Sequence, residues 1–321
     1  MTAEALNQQK PSKDSSFFDN LMSMVQAAQD GDLTQIATLL EKNSELSRAK
    51  IERLGNLEFH HIGATPLHYA AWCGNIEAAQ LLMDYGADID VKDTSFNAPP
   101  IGWAGENGQE EMFRFLIGRG AKTTIGELAA YGTLKDVRER LQKDPDLVND
   151  GTGENPQDWA PLWAAVFWRR KEIVEFLLRM GAEVNATTRD GQTPLHGSVQ
   201  SGNMEIVELI INAGADVQAK RKDDRTALHI AAETGHGPIA ELLISKDAEV
   251  DEVGNTGQTA LHLAALKRSR EVVEVLLAHG SDPTLADNKG TTPLECAGLE
   301  KDGMMEPDQQ IVEMIIAAHN V

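Results

Sequence analysis

Short apolar blocks recur along the second half of the chain at a fixed distance, separated by polar and glycine-containing turns. A Thr-Pro-Leu-His run or a close variant occupies residues 193–196, 226–229, 259–262 and 292–295, a step of 33 residues. A Gly-Ala-Asp run or a close variant keeps the same step at residues 181–183, 214–216, 247–249 and 280–282. Between the two runs, apolar residues such as Ile206, Val207 and Ile210 follow helical spacing. Three features in one register indicate an internal repeat.

Each repeat predicts two helices. Threonine can cap the first helix, and proline beside it suits the first helical position, where no N–H is required. Two small residues, Ala264 and Ala265 in one copy, form what we call the small pair and let neighbouring first helices approach closely. The second helix, residues 271–279 in the same copy, ends at Gly280, which can take the left-handed conformation that closes a helix. Neither helix can bury its apolar face alone, so each repeat must stack on its neighbours.

The Thr-Pro-Leu-His start, the small pair and the Gly-Ala-Asp end, at this period, resemble the ankyrin repeat. The resemblance covers residues 17–321 and implies an all-α solenoid of stacked helix-turn-helix units with short hairpin turns. Residues 65–90 are another good copy, and residues 99–122 are a distorted one. Degenerate copies at residues 21–46 and 125–147 share an alanine pair and an irregular tail in place of the glycine turn.

Nine repeats follow from this register. Residues 17–123 hold three repeats, residues 124–157 a degenerate repeat and a linker, and residues 158–321 five repeats including a C-terminal cap. We expect a hinge within the linker, and residues 1–16 are predicted to be a disordered leader because they are polar and contain no apolar run.

Composition limits the partners of the chain. Its 29 basic and 50 acidic residues give a net charge of −21, which disfavours non-specific binding to nucleic acid or to anionic membranes. Two widely separated cysteines exclude a disulfide framework and favour a reducing compartment. We therefore predict a cytoplasmic, monomeric protein with a protein partner, no nucleic-acid or membrane partner and no cofactor.

Histidines are the first candidates for chemistry. His68, His196, His229 and His262 share one repeat position, where the resemblance implies structural hydrogen bonds at the start of the first helix. His60 and His61 lie outside the repeat signature and could contact a ligand, but no Cys, His or Asp with metal-ligand spacing accompanies them. Phosphate-binding loops and nucleophile or metalloprotease motifs are also missing from the sequence. We therefore predict no metal site and no enzyme activity.

Aromatic residues depart most from the repeat pattern, since all five tryptophans fall between residues 72 and 168. In the ankyrin family, the residues just after the small pair and the one just before Thr-Pro face the concave groove and vary with the ligand. At these groove positions the chain carries Trp72, Cys73, Glu106, Tyr131, Trp159, Phe167 and Trp168. Large exposed aromatics are enriched at binding hot spots, so these residues predict a partner-binding face on repeats two to five. The alternative is that some tryptophans, Trp103 and Trp163 especially, fill gaps in irregular repeats.

The leading functional hypothesis is a protein-binding scaffold or adaptor. The alternative is a small-molecule-binding protein or an atypical enzyme, with a pocket where repeats two to five break the pattern. Its candidate ligand-binding residues are Glu58, His60, His61, Trp103 and Trp163. A purely structural role is the third possibility. A closed pocket near the third repeat would favour a ligand, and an open aromatic groove would favour a protein.

Overall fold

The all-helical fold predicted from the sequence is confirmed. The structure, a computed structural model, describes residues 13–51, 62–151, 160–298 and 308–319, with side chains from residue 16 onward. Within these ranges it contains 18 α-helices and no strand. The helices form nine consecutive pairs, one pair for each predicted repeat.

The nine pairs have the following bounds. They are α1 (Lys13–Asp30) with α2 (Leu33–Lys42), α3 (Pro66–Cys73) with α4 (Ile76–Asp84), α5 (Pro100–Glu106) with α6 (Glu110–Gly118), α7 (Ile125–Tyr131) with α8 (Leu134–Lys143), α9 (Pro161–Phe167) with α10 (Lys171–Arg179), α11 (Pro194–Ser201) with α12 (Met204–Asn212), α13 (Ala227–Thr234) with α14 (Gly237–Ser245), α15 (Ala260–Leu266) with α16 (Arg270–Ala278), and α17 (Pro293–Gly298) with α18 (Gln309–His319).

The start of each regular first helix is a capping box. At α11, Thr193 Oγ1 accepts a hydrogen bond from the backbone N–H of His196, while Thr193 N–H donates to His196 Nδ1 at 3.2 Å. Proline takes the first helical position, as expected, and Gly202 closes the helix in the left-handed conformation at φ 69°. Cap, proline and glycine therefore act as the sequence predicts.

The turn after the second helix also needs positive φ. Gly280 has φ 82°, in agreement with its predicted role, and Gly181 and Gly214 take the same conformation. Asp247 fills the equivalent position in repeat seven with φ 65°. An aspartate is tolerated there at a cost in backbone energy.

The chain divides into two compact units. Among the described residues, the first unit ends at Val137 and the second begins at Arg138, so the boundary lies inside α8 of the degenerate fourth repeat. In the first unit, α1, α3, α5 and α7 contact one another in chain order. In the second unit, α9, α11, α13, α15 and α17 do the same, and α10, α12, α14, α16 and α18 form a parallel layer of contacts.

The irregular tails of the two degenerate repeats have a common structure. Both contain a short 3-10 helix, at Ser44–Ser47 and at Pro145–Asn149. α1 begins at Lys13, four residues before the predicted start of the array. The first twelve residues of the predicted leader, residues 152–157 of the linker and residues 299–307 of the insertion in the last repeat lie outside the described residues.

Candidate partner-binding surface

The repeated histidines link successive repeats. His68 accepts the backbone N–H of Thr65 at Nδ1 and therefore donates from Nε2 to the carbonyl of Ala98, 3.1 Å away in the next repeat. Burial lowers the pKa of His68 to about 4, so the ring is neutral near pH 7. His196, His229 and His262 repeat this geometry, each bonded to a carbonyl 29 residues further on. Because both ring nitrogens are engaged, these side chains hold repeats together.

Trp103 lies on α5 of the first unit and is 5% exposed. Its indole N–H donates to Oδ2 of the buried Asp93 at 2.8 Å. Its ring stands edge-on to Tyr69 and His68, with centroids 5.3 and 5.1 Å apart. Trp103 thus fills the space between repeats two and three, which favours the packing interpretation for this residue.

Trp72 lies above Trp103 and is 39% exposed. The two rings stand edge to face, with centroids 6.0 Å apart and an interplanar angle of 80°. Asn107 Nδ2 donates to the backbone carbonyl of Trp72 at 2.8 Å, so the end of α5 is tied to the end of α3. The indole therefore packs against Trp103, and the hydrogen bond fixes the backbone that carries it.

Cys73 follows Trp72 at the end of α3 and is half-buried. Burial and the nearby carboxylate of Asp30 raise the pKa of its thiol. At Cys296, burial together with Asp287 and Glu295 raises the thiol pKa to about 11. A nucleophilic cysteine needs a lowered pKa, so the surroundings of both thiols oppose that chemistry.

Glu106 and Tyr131 continue the groove positions of the first unit on α5 and α7. The ring of Tyr131 lies directly over Gly105, where an added Cβ would overlap it, and stands edge-on to Phe113 at 5.8 Å. Burial, then Glu106 and Glu127, raise the pKa of the Tyr131 hydroxyl well above its usual range. Glu106 is exposed, and partial desolvation followed by the charge of Asp93 raises the pKa of its carboxyl group.

A second aromatic cluster belongs to the second unit. Trp163 is 6% exposed, and its ring stacks on Phe167 one helical turn later, with centroids 5.1 Å apart and planes 12° from parallel. Phe167 is 37% exposed and meets the half-buried Trp168 edge to face at 5.8 Å. As at Trp72, an exposed ring rests on a buried tryptophan. The burial of Trp163, like that of Trp103, favours packing over ligand contact.

Groove positions in repeats six and seven are polar, and repeat eight carries Leu266 followed by Lys267. Arg225 and Lys267 flank Glu233, with N–O distances of 2.9 and 3.5 Å. Gln200, at the position equivalent to Phe167, is exposed. The exposed aromatic groove residues seen in the described ranges therefore belong to repeats two and five.

Four of the predicted site residues fall outside the described parts of the chain. Glu58, His60, His61 and Trp159 lie outside the described residues, as do the loops that carry them. A cleft of about 520 Å³ is lined by Lys289, Gly290, Thr291, Glu295 and Gly298, all of them residues of the ninth repeat. In the described part of the chain, no group of three or more His, Cys, Asp or Glu side chains could hold a metal ion. No helix there has the length and apolar character needed to cross a membrane.

Two residues important to this surface escaped sequence reasoning. Asp93 lies in the turn before repeat three, and nothing in the repeat pattern links it to Trp103. Gly105 replaces the second alanine of the small pair, and this substitution was the available signal that a bulky ring packs against it.

Comparison of the sequence with models of known protein families finds that a repeat family matches it. The family model described as ankyrin repeats, in three copies, matches residues 4–93, 24–127, 99–221, 162–254, 217–287 and 252–319. These overlapping matches cover nearly the whole chain.

Curated relatives match over shorter stretches. Protein phosphatase 1 regulatory subunit 27 from Homo sapiens is 40% identical over 104 residues, or 32% of this chain and 61% of that protein. Rabankyrin-5 from Mus musculus is 30% identical over 155 residues, or 44% of this chain and 13% of that protein. Phosphocholine transferase AnkX from Legionella pneumophila is 27% identical over 140 residues, or 40% of this chain and 14% of that protein. The chain thus spans between 13% and 61% of the length of these relatives.

Proposed function

This chain belongs to the ankyrin-repeat family, and we propose that it is a protein-binding scaffold whose partner contacts the aromatic groove positions of repeats two to five. The proposed contact residues with described side chains are Trp72, Cys73, Glu106, Tyr131, Phe167 and Trp168. Trp159 belongs to the same proposed set by its position in the repeat.

The observation that carries the proposal is the exposure of Trp72 and Phe167. Stacking of repeats requires small or aliphatic residues in the core, so it does not explain large rings left 39% and 37% exposed. Each ring rests on a buried tryptophan, which limits the rotamers it can adopt before binding. A ring that is already ordered loses little side-chain entropy when a partner covers it.

The comparisons support a binding role over catalysis. One relative is named as a regulatory subunit of a phosphatase, which suits an adaptor. The match to a phosphocholine transferase covers only 14% of that protein, so it gives no ground for assigning that activity to this chain. The raised pKa values of Cys73 and Cys296 also argue against thiol catalysis.

We also propose that the protein is monomeric and lies in a reducing compartment, the cytoplasm. The proposal of a reducing location rests on the chain's having only two cysteines, Cys73 and Cys296, which lie far apart in the sequence. Sedimentation of the purified full chain at several concentrations tests the monomeric state, and a concentration-dependent increase in mass would contradict it.

Affinity capture from native lysate tests the function. Trp72→Ala should weaken binding of the captured protein at least about thirtyfold, since a tryptophan anchor contributes about 2 kcal/mol or more. Gln200→Ala, at the equivalent exposed position of repeat six, is the matched control and should leave the dissociation constant nearly unchanged. Both variants should keep the helical circular dichroism of the parent chain. Normal binding by Trp72→Ala and Phe167→Ala, with loss in Gln200→Ala, would move the binding face to the later repeats.

A further inference from the structure

Glu106 and Glu233 occupy the same groove position in repeats three and seven but differ in their partners. Arg225 Nη1 lies 2.9 Å from one carboxylate oxygen of Glu233, and Lys267 Nζ lies 3.5 Å from the other. Glu106, by contrast, forms no hydrogen bond or ion pair with any residue that the structure describes. One groove carboxylate is neutralised by the chain itself, and the other is not.

Aromatic side chains lie on both sides of Glu106. Trp72 precedes it on α3, where Asn107 Nδ2 holds the Trp72 carbonyl at 2.8 Å and keeps the ends of α3 and α5 together. Tyr131 follows on α7, with its ring against Gly105, the residue directly before Glu106. The three residues lie at the ends of successive first helices that contact one another, α3 with α5 and α5 with α7, so they are neighbours at one end of these helices.

The electrostatics of this surface are unfavourable without a cation. Partial desolvation and then the charge of Asp93 raise the pKa of the Glu106 carboxyl group, and burial followed by the charge of Glu106 raises the pKa of Tyr131. A positive group beside Glu106 would stabilise its ionised carboxylate against the repulsion from Asp93. The indole of Trp72, which is 39% exposed, offers a second attraction, because indole rings bind cations over their faces.

We propose that Trp72, Glu106 and Tyr131 together form a subsite for an arginine side chain of the partner protein, an inference that rests on the protein-binding function proposed above. A guanidinium group can stack on an aromatic ring while its planar N–H groups bind a carboxylate in a forked geometry, which a lysine ammonium cannot match. The excess of 50 acidic over 29 basic residues also favours a basic partner segment. The partner's arginine thus supplies to Glu106 the positive charge that Arg225 supplies to Glu233.

A random twelve-residue peptide library displayed on phage, selected on the folded full chain, tests this inference. The selected peptides should share an arginine, and replacing it with citrulline, its neutral isostere, should weaken binding at least about tenfold. Glu106→Gln should cause a similar loss, and the two changes together should cost little more than either one alone. Glu233→Gln is the matched control at the equivalent position and should bind the peptides like the parent chain.

The possible outcomes distinguish a failure of the arginine subsite from a failure of the proposed protein-binding function. Peptides that depend on Trp72 but bind equally well with citrulline, or to Glu106→Gln, would overturn the arginine subsite and leave the aromatic groove as the binding face. Peptides indifferent to Trp72, Phe167 and Glu106 alike would overturn both proposals. A selection that yields no peptide, or peptides sharing lysine and no arginine, would overturn the arginine assignment.

Discussion

The indole N–H of Trp103 donates to the buried carboxylate of Asp93 across 2.8 Å. Asp93 also accepts the backbone N–H of Phe96 at 2.6 Å, so one carboxylate ties the turn before repeat three to the first helix of that repeat. Trp72 then rests edge-on against Trp103. A structural tryptophan therefore supports a surface tryptophan, and substitutions should separate the two roles.

Alanine at these two positions should affect stability very differently. Trp103→Ala removes a 5% exposed ring with three aromatic neighbours, and it should lower the free energy of unfolding by about 3–5 kcal/mol. Trp72→Ala removes a ring that is 39% exposed and should lower it by about 1 kcal/mol or less. Urea titration followed by circular dichroism measures both. Equal losses in the two variants would mean that Trp72 belongs to the core.

The repeats, their helix pairs and their caps could be predicted because they depend on local signals at a fixed spacing. Thr193, for example, needs only its neighbours to cap α11, and Gly280 needs only its own freedom at positive φ. The resemblance to the ankyrin repeat implies structural hydrogen bonds for the repeated histidines, and the ring nitrogens of His196 form such bonds with Thr193 and with the carbonyl of Arg225.

Side-chain burial in the irregular repeats could not be predicted in the same way. The sequence places Trp72 at a groove position but leaves Trp103 open between ligand contact and packing, and only the fold shows that Trp103 fills the space between repeats two and three. Its partner Asp93 lies in a turn with no repeat signature. Likewise, the sequence marks Glu106 and Glu233 as equivalent, and only the fold reveals that Arg225 and Lys267 surround one of them.

The buried histidines should make stability depend on pH. Burial lowers the pKa of His196 to about 4, against an ordinary value of 6.5, so the unfolded state binds the extra proton between these values. The stabilisation from neutral His196 is therefore complete above about pH 6.5 and is lost as the pH falls towards 4. The shift corresponds to a loss on the order of 3 kcal/mol.

A comparison with His196→Gln isolates this effect from other titrating groups. Urea unfolding of both proteins between pH 7.5 and pH 4 should give the largest stability difference above pH 6.5. The difference should shrink as the pH falls, because glutamine does not titrate. A difference that stays constant across the range would show that His196 keeps an ordinary pKa in the folded protein.

Two glycines with open surroundings should respond to alanine with opposite signs. A Cβ at Gly280 or at Gly118 would meet no atom within 4 Å, so crowding affects neither substitution. Gly280 has φ 82°, and Gly280→Ala should destabilise the protein by about 1–2 kcal/mol. Gly118 ends α6 without positive φ, and Gly118→Ala should stabilise it by up to about 1 kcal/mol. Thermal unfolding midpoints that move in the same direction would contradict the assigned role of backbone conformation.

The contact between Gly105 and Tyr131 should appear as an energetic coupling. Alanine at Gly105 would place its Cβ within the space of the Tyr131 ring, so Gly105→Ala should lower the free energy of unfolding by about 1–3 kcal/mol despite the higher helix propensity of alanine. With Tyr131→Ala in the same chain, the clash disappears and the helix propensity remains. The double variant should therefore be more stable than the sum of the two single losses implies, with a coupling of about 1 kcal/mol or more. Urea unfolding of the four proteins of this cycle measures the coupling, and strictly additive losses would mean that the ring of Tyr131 does not lie over Gly105 in solution.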